Sequence, residues 1–156
     1  MNRILNWREA ADIRDIARSE GRTVVLTNGV FDVIHPGHIR MLEKSRSLGD
    51  VLIVALNSDS SVRQIKGPDR PINSEQDRAS VLAGLRSVDY VVLFDAPEPL
   101  AIIQAIKPDV LMKGGDWTRE TIIGAPEVEA YGGVVVVVPT VQGHSTTKIV
   151  EKIRKG

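Results

Sequence analysis

The 156-residue chain contains no cysteine. That removes disulfides, thiolate nucleophiles and cysteine-based metal sites together, and it neither requires nor excludes an oxidising compartment. Net charge is missing as well. Twenty Lys and Arg balance 20 Asp and Glu at a pI near 6.8, so no overall field draws the protein to nucleic acid or to an anionic membrane. Any polyanion must be held by a local arrangement of groups. No apolar run approaches the length of a membrane span, and the opening segment lacks the apolar core of a signal peptide, so the expected compartment is the cytoplasm. The GxxxxGK[ST] and GxGxxG patterns are both absent, which argues against a P-loop and against a dinucleotide-binding turn. No internal repeat, linker or low-complexity tract interrupts the chain.

What is present suits one domain, with an N-terminal helix in residues 1–20 and a core in residues 21–156. Residues 7–19 space Ile13, Ile16 and Ala17 among charges as an amphipathic helix does, and Gly21 closes it. Five short apolar runs follow, at residues 23–26, 51–56, 90–94, 110–112 and 134–138. They are continuous rather than alternating, which is the pattern of strands covered on both faces. Helical stretches separate them: one after Pro36-Gly37, one over residues 74–85, one near residues 100–106, one near Glu127 and a last one starting near Ser145. The expected architecture is an α/β, Rossmann-like doubly wound sheet of about five parallel strands with helices on both faces. The valine run at 134–138 is expected to be a buried central strand. In such sheets ligands bind beyond the carboxyl ends of the strands, where strand order reverses.

Four segments carry candidate chemistry. Two histidines, His35 and His38, flank a helix start in His35-Pro36-Gly37-His38, where unpaired N–H groups and the helix dipole favour an anion. Three readings compete there. His35 can be a plain loop residue with His38 satisfied in the first turn; the pair can bind metal, with His144 or a carboxylate as third ligand; or it can meet charge developing on a phosphoryl group, with Gly37 letting the backbone approach the phosphate. Residues 66–71 form a Gly- and Pro-bearing loop with Lys66 and Arg70, and Arg78 can pair with Glu75 one turn earlier. Lys113-Gly114-Gly115-Asp116 follows a strand directly, and Ser145 is an N-cap ahead of Thr146 and Thr147.

Thr27-Asn28-Gly29-Val30-Phe31-Asp32 followed by His35-Pro36-Gly37-His38 resembles the signature of the HxGH nucleotidyltransferase superfamily, in its cytidylyltransferase-like branch. The resemblance implies strand order 3-2-1-4-5 and attack by a substrate phosphate on the α-phosphate of a nucleoside triphosphate. Pyrophosphate leaves without a covalent enzyme intermediate, and Mg²⁺ accompanies the triphosphate. It implies catalytic roles for His35, His38 and Lys66. Nucleotide or phosphate contacts would fall to Thr27, Asn28, Gly29, Phe31, Asp32, Gly37, Arg78, Lys113, Gly114, Ser145, Thr146 and Thr147, and acceptor contacts to Asn57, Asp59 and Asp116.

Within the superfamily, Ile65-Lys66-Gly67-Pro68 with Arg70-Pro71-Ile72, Val88-Asp89-Tyr90-Val91-Val92, and Lys107-Pro108-Asp109-Val110 leading to Lys113 are similar to the adenylyltransferase half of bacterial ADP-heptose synthases. That resemblance implies transfer of AMP from ATP to D-glycero-β-D-manno-heptose 1-phosphate for lipopolysaccharide. A separate heptose kinase would act upstream, and a homodimer is one assembly open to the chain. The alternatives are a glycerol-3-phosphate cytidylyltransferase-like enzyme and a non-catalytic sugar-nucleotide sensor on the same fold. His144 stands where relatives vary and is expected to take part in neither metal binding nor chemistry.

Overall fold

The computed structural model describes residues 2–156. A six-stranded, all-parallel sheet runs through it in the order β1-β4-β3-β2-β5-β6. The strands are β1 (Ile4–Leu5), β2 (Val24–Gly29), β3 (Val51–Asn57), β4 (Tyr90–Phe94), β5 (Val110–Gly114) and β6 (Val134–Val138). The five strands expected from the sequence appear as β2 to β6 in the 3-2-1-4-5 order. The addition is β1, two residues paired in parallel with Val91 and Val92 of β4, too short to leave a periodic signal.

Alternation along each strand sends side chains to two separate apolar layers. Leu26, Ile53 and Leu111 face α1 (Trp7–Ser19), α5 (Leu100–Ile106) and α6 (Ala125–Ala130), whose Ala10, Ile103 and Val128 complete that layer. Val25, Val54 and Met112 face α2 (Pro36–Arg46) and α4 (Glu75–Ala83) through Leu42, Ala79 and Leu82. The chain also contains α3 (Asp59–Lys66) and α7 (Thr146–Lys155). The first of these was not expected from the sequence: Ser58 caps it, accepting from Ser61 N–H, and Lys66, expected to open a loop, is its last residue.

The placement of β6 corrects the expectation of a buried central strand. It is the edge of the sheet, with β5 as its one neighbour, and Val134 and Val137 are 55% and 37% exposed. A run of five valines reads as two-sided burial, but here one row of backbone groups and part of the valine surface face outward.

From β2 the chain winds outward through β3 and β4, then crosses back to place β5 on the other side of β2. Strand order therefore reverses between β2 and β5. The loop leaving β2, the turn leaving β5 and the segment leaving β6 all open at that end of the sheet. No helix among the described residues is long and apolar enough to cross a membrane.

Candidate active site

Beyond the carboxyl ends of β2 and β5 lies a cavity of about 470 Å³. Its floor is the start of α2. His35 is the N-cap and Pro36 opens the helix, a position that tolerates proline because its missing N–H would have had no partner there. The His35 and His38 rings stack with centroids 3.8 Å apart and planes 24° from parallel. The His38 ring also meets Phe31 at 5.2 Å. Phe31 has φ +47°, a left-handed backbone uncommon for a bulky residue, and its ring turns back over Gly29, where any Cβ would lie 2.9 Å from it. Gly29 thus makes room for Phe31.

His38 Nδ1 accepts from His35 N–H at 3.3 Å, so the proton of the neutral ring sits on Nε2, where it can be donated. Burial, reinforced by the charge of His35, pushes the His38 pKa down to about 4; burial and the charge of His144 lower that of His35. The sign for stability follows. An unfolded imidazole takes a proton near pH 6.5, whereas folded His38 refuses it until about pH 4, so its contribution is complete above 6.5 and is lost as pH falls toward 4. The nucleotide-free melting temperature should decline over that window, and His38→Gln should shallow the decline in calorimetric scans at stepped pH. An unchanged slope would remove His38 as the cause.

The second wall is the start of α7. Ser145 caps it, its Oγ accepting from Lys148 N–H at 3.4 Å. The Thr146 hydroxyl donates to the Val33 carbonyl at 2.9 Å, which ties this helix start to the loop leading into α2. Two helix N-termini therefore meet across one cavity, each contributing partial positive charge. Lys66, Arg70 and Arg40 add cations. The single lining carboxylate, Asp32, is already engaged: its oxygens accept from Arg70 Nε at 2.8 Å and from the backbone amides of Ile72 and Asn73 at 2.8–2.9 Å. Burial alone would raise the Asp32 pKa, but these donors outweigh it and hold the carboxyl below its usual range. The cavity is built for a polyanion.

Among the expected site residues, Phe31, Asp32, His35, Gly37, His38, Lys66, Gly114, Ser145, Thr146 and Thr147 line this cavity. Gly37 and Gly114 do so for a steric reason. A Cβ on Gly37 would stand 2.9 Å from the His35 ring and 3.1 Å from His144 Cβ, and one on Gly114 would run into the Met41 sulfur.

The remaining residues have other tasks. Arg78, expected at phosphate, is fully buried; it donates to the carbonyls of Val30 (2.7 Å), Asn57 (2.8 Å) and Asn73 (3.1 Å) and pairs with Asp59 at 2.8 Å. It is a clamp between β2, β3 and the loop before α4. Glu75, the partner expected for it, instead accepts from Asp59 N–H. Asp59 borders a separate surface cleft with Arg63 and Asp95. Asn57 donates to Ser61 Oγ and the Ala96 carbonyl, fastening α3 to the turn after β4. Thr27 is buried within β2.

Strand alternation directs Asn28 and Lys113 to the opposite face of the sheet, toward the α1, α5 and α6 layer. There Asn28 Oδ1 is buried without a partner. The Lys113 ammonium lies 5.3 Å from the centroid of the Trp117 ring, and burial lowers its pKa to about 8. Asp116 is exposed. Arg40, Met41, Thr140 and Val141 line the cavity without having been expected there; Arg40 and Met41 follow the motif by one helical turn, a spacing that placed them on the same face from the start.

Among the described residues no group of three or more His, Asp or Glu is arranged to hold a metal ion. The imidazoles stack face to face rather than converge. A hard cation such as Mg²⁺ favours oxygen donors, and the lining residues offer it few besides hydroxyls. Such an ion would be held chiefly by the phosphates it arrives with.

The family model described as cytidylyltransferase-like matches residues 26–152. The chain is 52% identical over 142 residues to the bifunctional protein HldE of Syntrophotalea carbinolica, covering 91% of this chain and 29% of that protein. It is 55% identical over 139 residues to the bifunctional protein HldE of Hyphomonas neptunium, covering 89% and 29%. The chain thus spans about three-tenths of the length of these curated relatives. Among solved structures, a lipopolysaccharide core biosynthesis protein from Thermoplasma volcanium superposes at TM-score 0.64 with 29% identity, over 80% of this chain and all of that one. Pantoate–β-alanine ligase from Francisella tularensis, at TM-score 0.58 and 16% identity over 98% of this chain and 78% of that one, shares the fold. A match over residues 26–152 spans both helix starts that form the cavity, and the chain belongs to the cytidylyltransferase-like family.

Proposed function

We propose that the chain transfers the adenylyl group of ATP to D-glycero-β-D-manno-heptose 1-phosphate, giving ADP-heptose, a lipopolysaccharide precursor, and pyrophosphate. The observation that carries the transferase part is the stacked His35 and His38 pair at one helix start, facing a second helix start across a cavity rich in cations. An oxygen of the acceptor phosphate attacks the α-phosphorus of ATP while the bond to the bridging oxygen of the β-phosphate breaks. Negative charge grows on the α-phosphate oxygens, and His38 Nε2–H and the His35 ring are positioned to meet it. Lys66, at the exposed end of α3, supplies a point charge to the phosphates. Part of the triphosphate's charge would be neutralised by the Mg²⁺ it arrives with. No side chain needs to become covalently attached.

The choice of acceptor rests on identity near 50% to the two HldE proteins over about nine-tenths of the chain. The description of the Thermoplasma protein fits the same product class. Asn28, Lys113 and Asp116 are the proposed acceptor-side groups, since they stand at the switch point outside the histidine cavity. A heptose kinase activity would supply the acceptor, and the reaction belongs to the cytoplasm, where ATP and sugar phosphates are found.

Competition in one tube tests the reading. ATP, CTP, heptose 1-phosphate and glycerol 3-phosphate are incubated with the protein and the products are separated by mass. A site that hydrogen-bonds sugar hydroxyls leaves buried groups unpaired when they are missing, so ADP-heptose should exceed CDP-glycerol by at least about a hundredfold in specificity constant. Dominant CDP-glycerol would overturn the acceptor and the base; the absence of any product would favour a sensor.

A further inference from the structure

His144 is the third histidine of the chain, and the structure brings it to the other two. Its ring stacks on that of His35 with centroids 6.0 Å apart and planes 17° from parallel, so His35 is the ring that contacts both other histidines. The three imidazoles form one column along the cavity wall. We propose that His144 is a pyrophosphate-binding residue: it donates a hydrogen bond to the β- or γ-phosphate of the nucleotide, and to the leaving pyrophosphate, while His38 and His35 hold the α-phosphate. This rests on the nucleotidyl-transfer reading of the cavity.

Several independent features support the position. His144 directly precedes the N-cap Ser145, so it stands at the mouth of a ten-residue helix whose first amides have no partner within the helix. The gap left by the missing side chain of Gly37 is closed from two sides, by the His35 ring and by His144 Cβ, so the absence of a side chain at Gly37 lets residue 144 come up against the His35 helix start. Among the described residues no carboxylate is bonded to a ring of the column, Asp32 being spent on Arg70 and two backbone amides. His35 Nδ1 is buried without a hydrogen-bond partner, which leaves that ring's polar capacity open to a ligand.

The order of the rings then gives the triphosphate a direction. When the acceptor oxygen bonds to the α-phosphorus, the electron pair of the broken bond stays on the bridging oxygen, and the added charge appears on the pyrophosphate. With the α-phosphate at His38 and His35, that charge develops at the His144 end of the column, beside the α7 amides. No proton has to move; a donated hydrogen bond is sufficient.

AMP and pyrophosphate separate this role from simple packing, because AMP lacks the phosphates that His144 would touch. Calorimetric affinities for pyrophosphate, ATP and AMP are measured on the full chain, with His144→Ala and His144→Gln beside the original. Loss of one hydrogen bond to a charged group predicts about tenfold weaker pyrophosphate and ATP in the Ala variant, with AMP within about twofold. The Gln variant, which keeps a donor and most of the volume, should recover part of the loss. Product inhibition by pyrophosphate should weaken in parallel while KM for the sugar phosphate holds. Equal losses for AMP and pyrophosphate would reduce His144 to a packing residue, and unchanged pyrophosphate affinity in both variants would overturn the proposal. A protein that binds these ligands as stated yet makes no ADP-heptose would refute the acceptor assignment and leave this one standing.

Discussion

Replacing His38 by Ala should lower turnover by a factor of about a hundred or more while leaving the fold intact, the loss typical of one oriented donor to a developing oxyanion. The expectation follows from three distances. Nδ1 is occupied by the His35 amide at 3.3 Å, which leaves Nε2–H as the ring's only donor, and the ring is wedged between Phe31 at 5.2 Å and His35 at 3.8 Å. A donor so confined loses little freedom on meeting a transition state. Its neutral form in the free protein is consistent with this, since a ring with pKa near 4 gives a hydrogen bond at neutral pH without first shedding a counterion. Steady-state kinetics with a circular dichroism spectrum of the same preparation provide the check. A folded His38→Ala enzyme with near-normal kcat would take His38 out of the mechanism.

Arg78→Met should be the most destabilising single change outside the apolar layers. Methionine fits the volume but leaves the carbonyls of Val30, Asn57 and Asn73 without donors and strips Asp59 of its partner. Breaking a buried pair by removing one member costs about 3–5 kcal/mol. For a domain of this size that corresponds to roughly 10 °C in melting temperature. Arg78→Lys should recover only a fraction, because one ammonium cannot reach acceptors on three segments with the geometry of the guanidinium fork. Calorimetry resolves the difference. Activity measured well below the melting transition separates the clamp from a phosphate ligand: a clamp leaves KM for ATP close to its original value, whereas a phosphate ligand would raise it sharply.

The parallel strands and the histidine helix start were legible because their signals are local, whereas the strand order came from the family resemblance. Continuous apolar runs between helices specify parallel strands, and Pro36 with Gly37 and two histidines marks a helix start at a strand end. Arg78 shows where such reading stops. Its neighbours in sequence suggest a surface cation paired with Glu75, and nothing local reveals that Val30 and Asn57 converge on it from 48 and 21 residues away. The bond of Asn57 to the Ala96 carbonyl and the ion pair of Asp59 with Arg78 were hidden in the same way, the partners lying 39 and 19 residues away. The valine run of β6 misled because composition reports hydrophobicity but not the number of neighbours a strand has. His144 lay in plain view in the sequence, but its stacking on His35 depends on how α7 docks, which no short motif encodes.

The hydroxyl of Thr146 on the carbonyl of Val33 joins residues 113 positions apart. The histidine half of the cavity is therefore made by one stretch of chain, and the half that closes it by a helix made after β6. β2, β3 and β4, with α2 between the first two, can pair as soon as they are synthesised, whereas α7, which ties to Val33 of that early stretch, follows β5 and β6 in the chain. Assembly of the sheet and acquisition of a closed cavity are in this way separated in time. A chain caught between the two would hold a folded core and an open histidine pair, unable to enclose a triphosphate, and competence would arrive only when α7 docks.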